Sequence, residues 1–324
     1  MLNFSMARVV TTVAAALALG LCNLPVQASP FSNLFVFGDS LSDAAGGNNA
    51  NPLAPNEGGL ATPFPYNGGR FSNGKVAVEY LAESLGLDAA HTFHFAIGGA
   101  RTGINGVFPF TGLATQVQAF GAVAPTLGDL SGSLFSVWAG ANDFRDALPL
   151  ANPTTAFAGI YSNLGASVGA LYNLGARSFL LPNLPDVGLT PEGLGSGNSV
   201  LISLLAGNYN QGLRSFYNNL ATQLPGAKFH QVDVFAAQRG LLAGAPGNGL
   251  TNNTAGCLLT LSGQLSGLDC ASSFYVDNIH PTTRVHEVLG EAMLAAAVPE
   301  PAGLLLTATA LLGLMVASVR RRVV

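Results

Sequence analysis

From residue 33 onward, short apolar runs rich in Val and Phe alternate with longer stretches in which apolar residues recur every three or four positions. The short runs are Asn33–Phe37, Thr92–Ala96, Leu134–Trp138, Arg177–Leu181 and Lys228–Val234. They are apolar along most of their length, as strands covered on both faces are. The longer stretches are Lys75–Leu85, Leu113–Ala122, Thr154–Leu174, Val200–Leu224 and Thr282–Ala297, and they carry the helical period. Strand–helix alternation predicts a parallel sheet with helices on both faces. Five strands within about 270 residues fit one doubly wound α/β domain, and such sheets bind ligands at the carboxyl ends of their strands. Two segments break the pattern, a Gly/Asn/Pro-rich loop from Ala44 to Asn73 and another from Gly240 to Ser273. Long loops in a compact domain commonly serve as lids or binding walls.

Both ends depart from this pattern. Met1 to Ala28 holds one basic residue, Arg8, then the apolar run Val9–Leu21, then Val26-Gln27-Ala28. These read as the three parts of a secretory signal peptide cut near Ala28–Ser29. Cys22 follows the bulky Leu21, where a lipid-anchored cysteine wants a small neighbour. At the other end, Val298-Pro299-Glu300-Pro301 precedes the apolar stretch Ala302–Val319 and Arg320-Arg321-Arg322. About 18 apolar residues just span a bilayer, and the arginines favour a cytoplasmic end. That order resembles the PEP-CTERM sorting signal of Gram-negative bacteria. The resemblance implies export to the cell envelope or beyond, transient membrane retention through the C-terminal helix, and cutting by an exosortase-type enzyme. The expected organisation is therefore a signal peptide over 1–28, one folded domain over 29–297 and a sorting signal over 298–324.

The net charge is −4 and only 9% of residues are charged. With few basic residues outside the tail, this argues against nucleic-acid binding. Cys257 and Cys270 are the only cysteines after the leader. In an oxidising compartment they are expected to form a disulfide closing a loop of about 14 residues, a constraint on the order of 3 kcal/mol. Their spacing does not suggest a metal site, and no cofactor is called for.

The chemistry begins where the first strand ends, at Leu34-Phe35-Val36-Phe37-Gly38-Asp39-Ser40. A serine at the carboxyl end of such a strand is placed to react, but it needs a base, and the base needs an orienting group. Asp277-Asn278-Ile279-His280-Pro281 supplies both: an Asp three residues before a His can reach Nδ1 and leave Nε2 to face the serine. Oxyanion donors are expected past the second and third strands, at Ile97-Gly98-Gly99-Ala100 and Gly140-Ala141-Asn142-Asp143. Alone, Gly38-Asp39-Ser40 is also an Asx-type turn and Asn142 a helix cap; their order along the chain favours a site.

Together these blocks resemble the SGNH (GDSL) hydrolases, over almost all of Asn33 to Ala296. Gly69-Arg70-Phe71-Ser72-Asn73-Gly74-Lys75 and Leu181-Pro182-Asn183-Leu184-Pro185-Asp186-Val187-Gly188 look like the lipase/esterase branch. The resemblance implies a three-layer α/β/α, flavodoxin-like fold with sheet order 2-1-3-4-5. It also implies Ser40 as nucleophile, His280 as base and Asp277 as its partner. Ser40 N–H, Gly99 N–H and the Asn142 amide would form the oxyanion hole. Gly99 is preferred to Gly98 because the family's glycine precedes a small or acidic residue. The implied activity is hydrolysis of carboxylic esters, whether of lipids, aryl alcohols or acetylated carbohydrate. Acyl transfer to another acceptor would use the same groups, and an inactive surface or matrix protein would share the fold.

One motif competes. Gly165-Ala166-Ser167-Val168-Gly169 has the G-x-S-x-G pattern, but apolar residues recur through it at helical spacing, which puts Ser167 inside a helix rather than after a strand. His91 and His94, with Asp88, could imitate a metal cluster but are read as solvated or packed. His230 is read as a strand residue and His286 as a helical one. Asp143 and Asp186 lie near the expected face without an assigned role. Phe144 and the Ala44–Asn73 loop are expected to wall the acyl pocket.

Overall fold

The computed structural model describes residues 29–44, 66–245 and 247–298. The expected leader, most of the Ala44–Asn73 loop and the sorting signal beyond Val298 lie outside them. Among the described residues no helix is long and apolar enough to cross a membrane.

Every strand of the central sheet carries phenylalanine at its second position: Leu34–Gly38 (β1), Thr92–His94 (β2), Leu134–Trp138 (β3), Ser178–Pro182 (β4) and Lys228–Val232 (β5). All pair in parallel, in the order β2-β1-β3-β4-β5. Register sets Phe35 level with Phe93 and Phe135, Phe135 with Phe179, and Phe179 with Phe229. The rings therefore form one row across five strands, with neighbouring centroids 4.8 to 6.1 Å apart. Because side chains alternate faces, Phe35 and Phe37 join the core on one side while Leu34 and Val36 join the other. Helices α2 (Leu113–Val123), α4 (Phe157–Asn173) and α6 (Ser199–Gln223) cover the phenylalanine face; α1 (Ala77–Ser84), α7 (Val234–Ala243) and α8 (Thr283–Ala297) cover the other.

The expected fold holds, with sharper boundaries and additions. The fifth strand stops at Val232, because the Asp233 side chain accepts the Ala236 N–H and starts α7 at once. The expected helix at 154 begins as a 3₁₀ turn, Pro153–Ala156. Two short helices were not expected, α3 (Ala141–Ala147) and α5 (Pro191–Gly195). The segment read as a second irregular loop holds the end of α7 and a strand, Asn252–Gly256 (β6), parallel to Ser273–Tyr275 (β7). Cys257 and Cys270 lie beside this pair, their Cα atoms 5.2 Å apart.

The turn after β1 is tightly built. A Cβ on Gly38 would meet the Trp138 carbonyl oxygen at 2.2 Å, so only glycine fits. The buried Gln116 of α2 accepts from Gly38 N–H (2.9 Å) and donates to Gly38 C=O (2.8 Å). It thereby fixes the backbone immediately before Asp39 and Ser40.

His286 of α8 is fully buried against α1, where its Nδ1 accepts the Ala77 N–H at 3.2 Å. Burial, assisted by nearby His280, pushes its ionisation down to about 3, from an ordinary 6.5. Between those values the unfolded chain binds the extra proton, so this contribution to stability is complete above pH 6.5 and declines as pH falls. By pH 4 the loss is on the order of 3 kcal/mol. His286→Asn keeps an acceptor and does not titrate. Melting curves from pH 7 to pH 4 are expected to fall less steeply for the variant than for the wild type.

Candidate active site

Three adjacent strands, β2, β1 and β3, lead at their carboxyl ends into Gly99, Ser40 and Asn142. The connection from β1 runs to β2 on one side of it, and the next runs to β3 on the other, so the end of β1 is the topological switch point. Ser40 sits there, one turn past Gly38.

Asp277 and His280 reach the same place from the far end of the chain. After β7 the chain doubles back: Val276 N–H donates to His280 C=O, and Thr282 N–H to Phe274 C=O. Asp277 Oδ1 accepts from the backbone of Ile279 (2.8 Å) and His280 (2.7 Å), which folds the side chain over its own turn. Oδ2 is then left facing His280 Nδ1 at 2.6 Å, and His280 Nε2 lies 2.8 Å from Ser40 Oγ. With the Nδ1 proton donated to Asp277, Nε2 is free to accept from the serine hydroxyl. Burial pushes the Asp277 carboxyl up. The His280 imidazole, with hydrogen bonds from His280 and Tyr66, outweighs that and holds it down at about 2. It is a carboxylate throughout the neutral range.

The oxyanion candidates divide in an informative way. Gly98 N–H is occupied by Asp43 Oδ2 at 2.7 Å. Gly99 takes a left-handed conformation, φ +75°, and among the described residues neither its N–H nor that of Ser40 meets an acceptor. Asn142 does not cap α3. Gly140 holds that position, and Asn142 Nδ2 donates to Ala100 C=O at 2.9 Å, which ties the amide to the Gly99 turn with a second N–H left over.

Ser40, Asn142 and His280 line one pocket together with apolar side chains, among them Trp138, Pro185, Val187, Val234, Phe274, Val285 and Leu289. Asp39 also borders it. Burial pushes the Asp39 carboxyl up to about 7, while the Leu41 N–H on Oδ1 works against that. Arg145, one turn along α3 from Asn142, lines the pocket with its guanidinium forked onto Glu192.

Other sequence candidates lie elsewhere. Ser167 is buried inside α4, with no strand before it. Phe144 is not a pocket wall; it packs in the core against Phe157 and Tyr209, because its side of α3 faces inward. Asp143 accepts from Thr102 N–H and Oγ. Asp186 ties together Gly188 N–H, Ser203 Oγ and Arg239. His91 pairs with Asp88 at the surface, and His230 Nδ1 lies 3.0 Å from Ala296 C=O. Sequence reasoning missed Gln116 and Tyr66, whose hydroxyl donates to Asp277 Oδ2.

The chain is similar to several known proteins. A GDSL esterase/lipase of Arabidopsis thaliana is 28% identical over 316 residues, covering 81% of each chain. GDSL esterase/lipase 7 of the same plant is 26% identical over 315 residues, covering 79% of this chain and 85% of its own. Among solved structures, an acetylxylan esterase of Geobacillus stearothermophilus aligns over 82% of this chain and 94% of its own, at 14% identity and TM-score 0.44. An inhibitor-bound aryl esterase of M. smegmatis aligns over 81% and 96%, at 16% identity and TM-score 0.45. The family model for GDSL-like lipase/acylhydrolases matches residues 34–293. The chain belongs to the GDSL-like lipase/acylhydrolase family and is a carboxylic ester hydrolase.

Proposed function

We propose that the protein cleaves carboxylic esters through an acyl-enzyme formed on Ser40. The observation that carries this reading is the hydrogen-bonded chain Ser40–His280–Asp277 at the mouth of an apolar pocket. His280 Nε2 removes the Ser40 proton as Oγ attacks the ester carbonyl carbon. The oxygen that becomes negative is met by Ser40 N–H, Gly99 N–H and the spare Asn142 N–H. As the tetrahedral intermediate collapses, His280 returns the proton to the leaving alkoxide. Water, deprotonated by the same nitrogen, then releases the acid and restores Ser40.

The apolar side chains that line the pocket support a substrate with an aliphatic or aryl portion beside the reacting carbonyl. The names carried by the Arabidopsis relatives, esterase/lipase, point the same way. The leader pattern of residues 1–28 supports a second element of the proposal, export of the protein out of the cytoplasm. The exported protein would carry a Cys257–Cys270 disulfide, and its tail would be held in the membrane until an exosortase-type enzyme cuts near Pro299-Glu300-Pro301.

The test is hydrolysis of p-nitrophenyl esters from acetate to palmitate by the purified protein. Turnover is expected, and a folded protein that cleaves none of them contradicts the reading. Asn142→Ala should lower kcat by about 10²–10³ with KM little changed, since its donor meets charge that exists only in the transition state.

A further inference from the structure

We propose that Tyr66 is a positioning residue for the acid–base pair, acting from a strap of chain, residues 66–74, that is laid across the Asp277–His280 turn. This inference rests on the reading of Ser40, His280 and Asp277 given above.

The strap touches the turn at successive points. Tyr66 Oη donates to Asp277 Oδ2, the same oxygen that receives the His280 Nδ1 proton. The Phe71 ring lies 5.1 Å from the His280 ring and 5.8 Å from Tyr66. Buried Ser72 donates to Pro281 C=O at 3.3 Å. Asn73 Oδ1 accepts the Thr283 N–H at 2.9 Å, at the first residue of α8. At its root, Arg70 grips Glu79 of α1 with two hydrogen bonds of 2.7 Å.

Tyr66 differs from the rest of the strap because it alone reaches the carboxylate. The other three hydrogen bonds to Asp277 come from the turn itself: two backbone N–H groups on Oδ1 and His280 on Oδ2. Burial, then the Asp277 charge, push the Tyr66 ionisation well above its ordinary value, so the hydroxyl is a donor at every working pH. Its hydrogen bond does two things. It holds Oδ2 at one angle to the imidazole, and it spreads the carboxylate charge that would otherwise hold a proton on the pair. Without it, Asp277 becomes a stronger base and attracts the imidazolium more fully. Both changes keep the pair protonated to higher pH. Asp39 and His286 also interact electrostatically with His280, and both residues are kept in the Tyr66→Phe protein.

The experiment compares wild type, Tyr66→Phe, Ser72→Ala and Ser40→Ala, recording kcat/KM for p-nitrophenyl butyrate from pH 4.5 to 9 together with melting temperature. Tyr66→Phe keeps the ring beside Phe71 and loses only the hydroxyl. It should lower kcat/KM by about tenfold, the scale of one hydrogen bond to a charged group. The acidic limb of its profile should move to higher pH. Ser72→Ala loosens the strap without touching Asp277 and should leave that limb in place. A Tyr66→Phe profile with the wild-type acidic limb, at any rate, overturns the inference while Ser40→Ala remains inactive. An active Ser40→Ala instead removes the reading beneath it.

Discussion

Replacing Ser40 with alanine is expected to lower kcat for ester hydrolysis by about 10⁶-fold, the scale seen when a serine nucleophile is removed from a working triad. Among the described residues Oγ has one hydrogen-bond partner, His280 Nε2 at 2.8 Å, so its loss should leave the fold and the pocket intact. The oxyanion donors survive in the variant and stabilise attack by water alone, so a residual rate above background is expected. Ser167→Ala is the matched control. Its hydroxyl is buried within α4, outside the pocket that Ser40 lines, and the variant should keep wild-type kcat and KM. Steady-state kinetics on one short-chain ester, with melting temperatures alongside, separates the two.

Asp277→Asn should cost about 10⁴ in kcat while the structure changes little. The asparagine Oδ1 can still accept the Ile279 and His280 N–H groups that fold the turn. Its Nδ2, however, now faces His280 Nδ1, where a donor meets a donor. The imidazole must shift its proton to Nε2, and that nitrogen then offers a proton to Ser40 when it should accept one. Tyr66 also loses the carboxylate oxygen to which it donates. The loss should fall on kcat, with KM close to wild type, because nothing in the apolar pocket has changed.

Much of this fold can be read from the chain because its strands obey one simple pattern. All five are short and carry phenylalanine at the second position, the three inner ones being largely apolar and buried throughout, and the row of rings from Phe93 to Phe229 is that pattern in three dimensions. Ser40, Asn142, Asp277 and His280 were legible for a related reason: each sits in a compact block whose chemistry depends on neighbours a few residues away. What escaped was either too short or too distant. Helix α3 spans seven residues, less than the period needs to declare itself, and its start reads as a Gly-Ala-Asn turn. Strand β6, Asn-Asn-Thr-Ala-Gly, has no apolar alternation and owes its shape to β7. Gln116 reaches Gly38 across 78 residues and Tyr66 reaches Asp277 across 211. No local spacing encodes either contact; both arise only when the sheet has closed.

The central claim, that Ser40 carries the acyl group, is tested most directly by covalent labelling. Wild-type protein would be treated with a fluorophosphonate, digested, and the modified residue located by peptide mass spectrometry. One phosphonyl group on Ser40, absent from the His280→Ala protein and accompanied by loss of esterase activity, is the predicted result. Inactivation with the label on Ser167 or any other side chain, and Ser40 unmodified, would contradict it.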